Sequence, residues 1–352
     1  MSSTTITAQK LGRVVLDIRN LNVKFAMDTG TVFAVNNVNF QIHQGETVGI
    51  VGETGAGKSV TAFSVMRLLG AGGKTTRARI EGEIILKSDD GRELNVLKLD
   101  DDKLLRIRGN VVSMIYQEPM TSLNPVYTCG NQIAEVFRKD KTRYKTKQEI
   151  TAASEELLDS VGIPDPKRVL RSYPHELSGG MKQRVMIAMA LALKPTLIIA
   201  DEPTTAIDVT IQAQILNLFQ RIQEDYGTSV MFITHDLGVI AQLVDRVVVM
   251  YAGRTVEIAS VYDLFEKPLH PYTKGLLKSI PKTSRKGGKR EELEPIPGSV
   301  PNPANLPPGC PFHPRCEWAI DVCRSESPSI EVTENGHSVM CWRWKELQED
   351  RG

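Results

Sequence analysis

The sequence predicts an α/β chain: a sheet covered by helices, a helical subdomain set into it, and a small cysteine-rich segment after it. Three observations predict this. Strand-like and helix-like segments alternate through about residue 280, the pattern of a parallel sheet with helical crossovers. The stretch from Gln117 to about Leu193 has helical character and no strand signal. Beyond residue 309, four cysteines and three tryptophans (Trp318, Trp342, Trp344) crowd into a short segment.

Taken in order, Val15 to Phe25 and Ala34 to Gln41 are strands, followed by a Gly45-Glu46 turn. Thr47 to Val51 is an apolar run of buried-strand length that meets a glycine-rich loop and then a helical stretch, Ser59 to Leu69. Val111 to Tyr116, Leu197 to Ala200, Val230 to Thr234 and Val247 to Tyr251 are further buried strands. Ala252-Gly253 turns the last of these into Thr255 to Ala259, a hairpin. Gln132 to Arg138, Lys147 to Val161 and Met181 to Leu193 are helical within the insertion. Asp208 to Tyr226 is the clearest helix: Ile211, Ile215, Leu218 and Ile222 recur at helical spacing, Asp208 can cap its start and Gly227 suits its end. Pro281 to Gly309 holds seven prolines and a basic run, Lys282 to Arg290, and is expected to be an extended, solvated linker. The expected division is therefore a core over 14–280 with the helical subdomain at about 117–193, a linker over 281–308 and a cysteine module over 309–352.

Bulk properties exclude several functions. Lysine plus arginine (43) nearly cancel aspartate plus glutamate (42), so a net charge of +1 creates no field that would gather nucleic acid. The most apolar stretch, Val185 to Ala200, is cut by Lys194 and Pro195 and is too short to span a bilayer. Met1 to Arg13 lacks the apolar centre of a signal peptide. The expected compartment is the cytosol, where a cysteine cluster points to metal more than to disulfides.

Gly52-Glu53-Thr54-Gly55-Ala56-Gly57-Lys58-Ser59 fits the pattern of a phosphate-binding loop. Backbone N–H groups must approach a polyphosphate closely, and glycine lets the chain wrap without a Cβ in the way. The helix that follows, from Ser59 through Val60 onward, aims its positive end at the same anion. Lys58 adds a full charge for the β and γ phosphates, and the Ser59 hydroxyl can coordinate magnesium. This signals a nucleotide but not which machine uses it.

Leu197 to Ala200 ends in Asp201-Glu202. Parallel sheets present ligands at the carboxyl ends of their strands. There Asp201 can hold the magnesium shell, and Glu202 can orient the water that attacks the γ-phosphate and take its proton. The plainer reading is an exposed acidic turn before Pro203.

Leu177-Ser178-Gly179-Gly180-Met181 opens a second helix with a second anion-seeking terminus, far along the chain from the first. Together with the loop and the acidic pair it resembles the signature of ABC ATPases, with Met181 in place of the usual final Gln. The resemblance covers about residues 14 to 352. It implies a P-loop NTPase-like ABC ATPase core with a mixed β-sheet, an antiparallel β subdomain and an inserted helical subdomain. It also implies ATP and magnesium as ligands, and a dimer in which each signature grips the ATP held by the other subunit's loop. By the same resemblance Gln117 is the Q-loop residue that touches magnesium, and His235 is the switch histidine that contacts the γ-phosphate. Asp208 closes the D-loop Thr205-Ala206-Ile207-Asp208, and Phe25 stacks on adenine. Singly, His235 and Phe25 also fit ordinary structural roles.

Pro119-Met120-Thr121-Ser122-Leu123-Asn124-Pro125, His270-Pro271-Tyr272-Thr273 and the cysteine tail resemble the ATPases of oligopeptide, dipeptide and nickel importers. That likeness implies two transmembrane permease subunits, a second ATPase that is a different chain or a second copy, and an extracytoplasmic binding protein. It places the chain peripherally at the cytoplasmic face of the membrane. Cys310, Cys316, Cys323 and Cys341 are separated by five, six and seventeen residues, without the tight pairs of structural zinc sites. The resemblance implies a [4Fe-4S] cluster, with zinc as the alternative and His313 and His337 as possible ligands. Cys129 reads as a plain buried thiol. The expected function is ATP-driven peptide import. The alternatives are nickel import, a non-transport ABC ATPase acting on DNA or ribosomes, and a regulator in which the cysteine tail is the working part.

Overall fold

The structure is a computed structural model that describes residues 12–27, 30–69, 78–88, 90–117, 122–205, 207–280 and 295–349. The basic run Lys282 to Arg290, Pro119 to Thr121 and Ala206 lie outside the described residues.

In chain order the elements are β1 (Val14–Met27), β2 (Gly30–His43), β3 (Thr47–Val51), α1 (Lys58–Val65), β4 (Ala78–Lys87) and β5 (Glu93–Asn95). Then come α2 (Asp101–Ile107), β6 (Val112–Ile115), α3 (Cys129–Phe137), α4 (Lys147–Ser160), α5 (Pro166–Arg171) and α6 (Gly179–Leu191). The core closes with β7 (Leu197–Asp201), α7 (Val209–Tyr226), β8 (Ser229–Ile233), α8 (Leu237–Leu243), β9 (Arg246–Tyr251), β10 (Arg254–Ser260), α9 (Val261–Glu266) and α10 (Pro271–Lys278). The tail adds α11 (Asp321–Ser325), β11 (Glu331–Val332), β12 (Ser338–Val339) and α12 (Trp344–Glu349).

Two sheets result. One is antiparallel, in the order β2-β1-β4-β5; the other is mixed, in the order β11-β12-β10-β9-β3-β8-β7-β6. The strands around β3 are parallel, and the β9–β10 hairpin turns antiparallel at their edge. The apolar runs read as buried strands are buried because both faces are covered. Val48, Ile50, Leu197, Ile199, Met231, Ile233, Val248 and Met250 pack toward the antiparallel sheet. Their neighbours Val51, Ile198, Ala200, Val230, Phe232, Val247, Val249 and Tyr251 pack toward the helices. The period-2 alternation of a strand, set between two layers, needs apolar residues at every position. Helix ends follow their signals: Asp208 Oδ1 accepts from the Ile211 N–H at 2.9 Å, and Gly227 closes α7 in the left-handed region at φ 61°.

The C-terminal third touches the core at two places. Among the described residues of the linker, Ile296 and Leu306 pack on the core, and the Pro303 carbonyl accepts a 3.4 Å hydrogen bond from the Phe33 N–H. The tail shares the core's sheet: β12 pairs with Glu257 and Ile258 of β10, and the Met340 N–H donates to Val256 O at 2.8 Å. Beneath that seam Glu257 is 1 % exposed. Its carboxylate accepts from the Leu269 and His270 N–H groups at 2.6 and 3.0 Å and lies 2.7 Å from His337 Nε2. His337 is therefore spent on Glu257, not on the cysteines.

Candidate functional site

β3 ends at Val51, the glycine-rich loop follows, and α1 starts at Lys58. Gly57 has φ 97°, and a Cβ there would sit 2.6 Å from the Ala34 carbonyl oxygen, so no other residue fits. Lys58 is 7 % exposed, and its ammonium donates to the carbonyls of Gly52 at 2.7 Å and Glu53 at 3.1 Å. Burial pulls its pKa down, opposed by Glu202, Asp201 and Glu53. Ser59 Oγ donates to Asp201 Oδ1 at 3.0 Å, which joins the two predicted magnesium residues across 142 positions. Burial raises the Asp201 pKa, and the Ser59 hydrogen bond pulls it back.

Glu202, directly after β7, sits at φ 47°, a left-handed conformation rare for a side chain of its kind. Its carboxylate gathers three partners: Gln117 Nε2 at 3.1 Å, Thr205 Oγ1 at 2.9 Å and His235 Nδ1 at 3.3 Å. Phe25, the residues from Thr54 to Val60, Gln117, Glu202 and His235 line one open cleft. Thr205, Met27, Val32 and Pro303 line it too and were not predicted there. Thr205 stood beside the acidic pair, whereas Pro303 lies in a stretch whose composition reads only as linker.

The signature stands apart from this cleft: Leu177 to Met181 do not line it. Ser178 caps α6 through a 3.3 Å hydrogen bond from the Met181 N–H, and both Ser178 and Gly179 are exposed. A Cβ on Gly179 would meet nothing, while one on Gly180 would lie 3.0 Å from Ile211. Met181, where a polar residue is usual, packs its side chain partly buried against the helical core. Asp208 also lies outside the cleft and caps α7.

Residues 35–205 match the ABC transporter family, and residues 256–323 match the oligopeptide/dipeptide transporter C-terminal region. A putative peptide import ATP-binding protein of Brucella melitensis is 49% identical over 95% of this chain and 98% of its own length. The oligopeptide transport ATP-binding protein OppD of Salmonella typhimurium is 45% identical over 97% of this chain and 98% of its own. The chain belongs to the ABC transporter ATP-binding family. Like its fellow members it is an ATP-hydrolysing enzyme, and ATP with magnesium is its expected ligand. The dimeric structure of a bacterial ABC transporter cassette superposes with a TM-score of 0.58 at 30% identity, covering 70% of this chain and 98% of that one. Another dimeric cassette structure, a post-hydrolysis state bound to ADP and Pi, gives a TM-score of 0.57 at 29% identity. Among the described residues of this ABC protein, no helix is long and apolar enough to cross a membrane.

Cys310, Cys316, Cys323 and Cys341 line one small, largely apolar cavity, with His270 and His313 at its wall. Burial pushes the Cys316 thiol up to about 11 and the Cys341 thiol up to about 12, and the neighbouring thiols add to both shifts. Among the described residues, no group of three or more Cys, His, Asp or Glu side chains is placed to hold a single metal ion. Cys129 is fully buried, as expected.

Proposed function

We propose that this chain is the ATP-hydrolysing subunit of a peptide importer, docked peripherally at the cytoplasmic face of the membrane. One observation carries this reading: the cleft that holds the phosphate loop lacks the signature residues, of which Ser178 and Gly179 stand exposed elsewhere at a helix terminus. A second subunit, a different chain or another copy, supplies its signature to this cleft and takes Ser178 to Met181 in return. The names of the relatives supply the substrate class, peptides rather than nickel. Two permease subunits and an extracytoplasmic binding protein complete the assembly; nucleic acid has no part in it.

The roles follow from the geometry. Gly52 to Val60 cradle the phosphates, and Phe25 stacks on adenine. Ser59, Asp201 and Gln117 would hold magnesium, which neutralises phosphate charge when bound; the Ser59–Asp201 contact of 3.0 Å is what fits them for it. Glu202 orients the attacking water and takes its proton. His235 and Thr205 hold the Glu202 carboxylate in place, and His235 also faces the γ-phosphate. Asp208 ends the D-loop at the dimer seam.

The same reading divides the chain at 14–280, 281–308 and 309–352, with the four cysteines carrying a [4Fe-4S] cluster as a structural staple. The four cysteines line one small, largely apolar cavity, which is the observation that supports a single group shared among them.

The test is uptake. Vesicles carrying this chain with its permeases, second ATPase and binding protein should accumulate peptide only with ATP, and Glu202→Gln should abolish uptake. Accumulation of nickel instead of peptide would overturn the substrate, and uptake without ATP the whole reading.

A further inference from the structure

The phosphate loop of this chain contains a carboxylate. Glu53 is the first residue after Gly52, and an unpaired negative charge there would oppose the binding of a triphosphate a few ångströms away. The structure shows where that charge goes. Arg315, 262 positions downstream between Cys310 and Cys316, meets Glu53 with both arms of its guanidinium, at 2.7 and 3.1 Å. Its side chain is 5% exposed. Arg315 is itself fixed from every side. Nε donates to the Pro297 carbonyl at 2.8 Å, and the Ile296 carbonyl and the Tyr251 hydroxyl lie at 3.4 Å. The rings of Tyr251 and Phe312 stand 5.8 and 6.0 Å from the guanidinium carbon. The hydrogen bonds from Arg315 to Glu53 are the main reason its pKa is raised further above that of a free guanidinium. From the other side, the Glu53 N–H donates to the Tyr272 hydroxyl at 2.8 Å.

We propose that Arg315 is a positioning residue of the ATP site: it neutralises Glu53 and turns its carboxylate out of the phosphate cleft. This rests on the reading of Gly52 to Ser59 as the ATP-binding loop and goes beyond it by assigning the tail a part in nucleotide affinity. The bidentate fork removes both the charge and the rotational freedom of the Glu53 side chain. Lysine, a single point charge on a flexible stem, does this incompletely. Consistently, Glu53 is absent from the lining of the cleft while its neighbours Thr54 to Val60 form it.

The experiment is calorimetric titration of the full-length chain with Mg-ATP. Wild type should bind, and Arg315→Ala should bind about tenfold more weakly, the effect of one charge-assisted pair lost. Arg315→Lys should fall between the two. The deciding variant is Arg315→Ala combined with Glu53→Gln. With the carboxylate gone no neutralising partner is needed, and affinity should return to within about threefold of Glu53→Gln alone. A purely structural arginine would leave the double variant as weak as Arg315→Ala, and that result would overturn the proposal, as would Arg315→Ala binding like wild type. If Arg315→Ala does not fold, Arg315→Gln takes its place in the same comparison. Wild-type protein that fails to bind Mg-ATP would overturn the ATP-site reading itself, so the two failures are told apart.

Discussion

Gln117 and Glu202, 85 positions apart, are joined by a 3.1 Å hydrogen bond from the amide to the carboxylate. Gln117 leaves the sheet just after β6 and Glu202 directly follows β7, so neighbouring parallel strands deliver both to one end of the sheet. A shift of Gln117 would therefore reach the Glu202 carboxylate directly.

Glu202→Gln keeps the size and the partners of that side chain but removes its basicity. Turnover should fall by about a hundredfold or more, the usual worth of a general base. ATP should still bind, and the ATP-loaded dimer should persist on a sizing column. Hydrolysis near the wild-type rate would sink the assignment of the base.

Lys58→Ala acts on an earlier step. Its ammonium already sits within the loop, 2.7 Å from the Gly52 carbonyl, ready to turn to phosphate oxygens. Mg-ATP affinity should drop at least about tenfold in titration. Unaltered affinity would show that the cleft binds something else.

Ser178→Arg separates the two sites. The bulky cation blocks the exposed α6 terminus but lies outside the chain's own cleft. Affinity of the isolated chain for Mg-ATP should change less than about twofold, while turnover in the assembled complex falls about a hundredfold. Equal turnover in the complex would dispose of the shared-site dimer.

Protein purified without air should show the broad brown absorbance of iron–sulfur, and metal analysis should find iron in place of zinc. Cys341→Ser should bleach that band. Stoichiometric zinc without iron would replace the cluster by a single ion.

Glu257→Ala leaves the Leu269 and His270 amides under the β10–β12 seam without their acceptor and His337 without its partner. Stability should fall by about 3 kcal/mol, visible as a lowered Tm, because partners of a buried charge are orphaned. An unchanged Tm would mean that the tail is not fastened there.

Much of the core was legible beforehand. The strand Thr47–Val51 and the helix from Val209 to Tyr226 stand where apolar runs and caps placed them. The antiparallel strand Ala78–Lys87 was not legible, because its Glu81-Gly82-Glu83 interrupts any alternation. The short α2, capped by Asp100, was missed because its polar first turn, Asp101-Asp102-Lys103, reads as loop. The tail was expected as a separate module because proline and cysteine mark composition and say nothing about which sheet edge a two-residue strand will join.

What the sequence settled by itself was local: a phosphate loop, an acidic pair and a helix-opening signature are runs of neighbours whose spacing along the chain is the chemistry. Tertiary structure alone decided that Gln117, Thr205 and His235 share the Glu202 carboxylate, that Met181 turns inward, and that Arg315 reaches back to Glu53. Contacts between side chains that the fold brings together, up to 262 positions apart, leave no periodicity to read. They exist because strand order brings loop ends together and because buried charges must find partners wherever the fold places them.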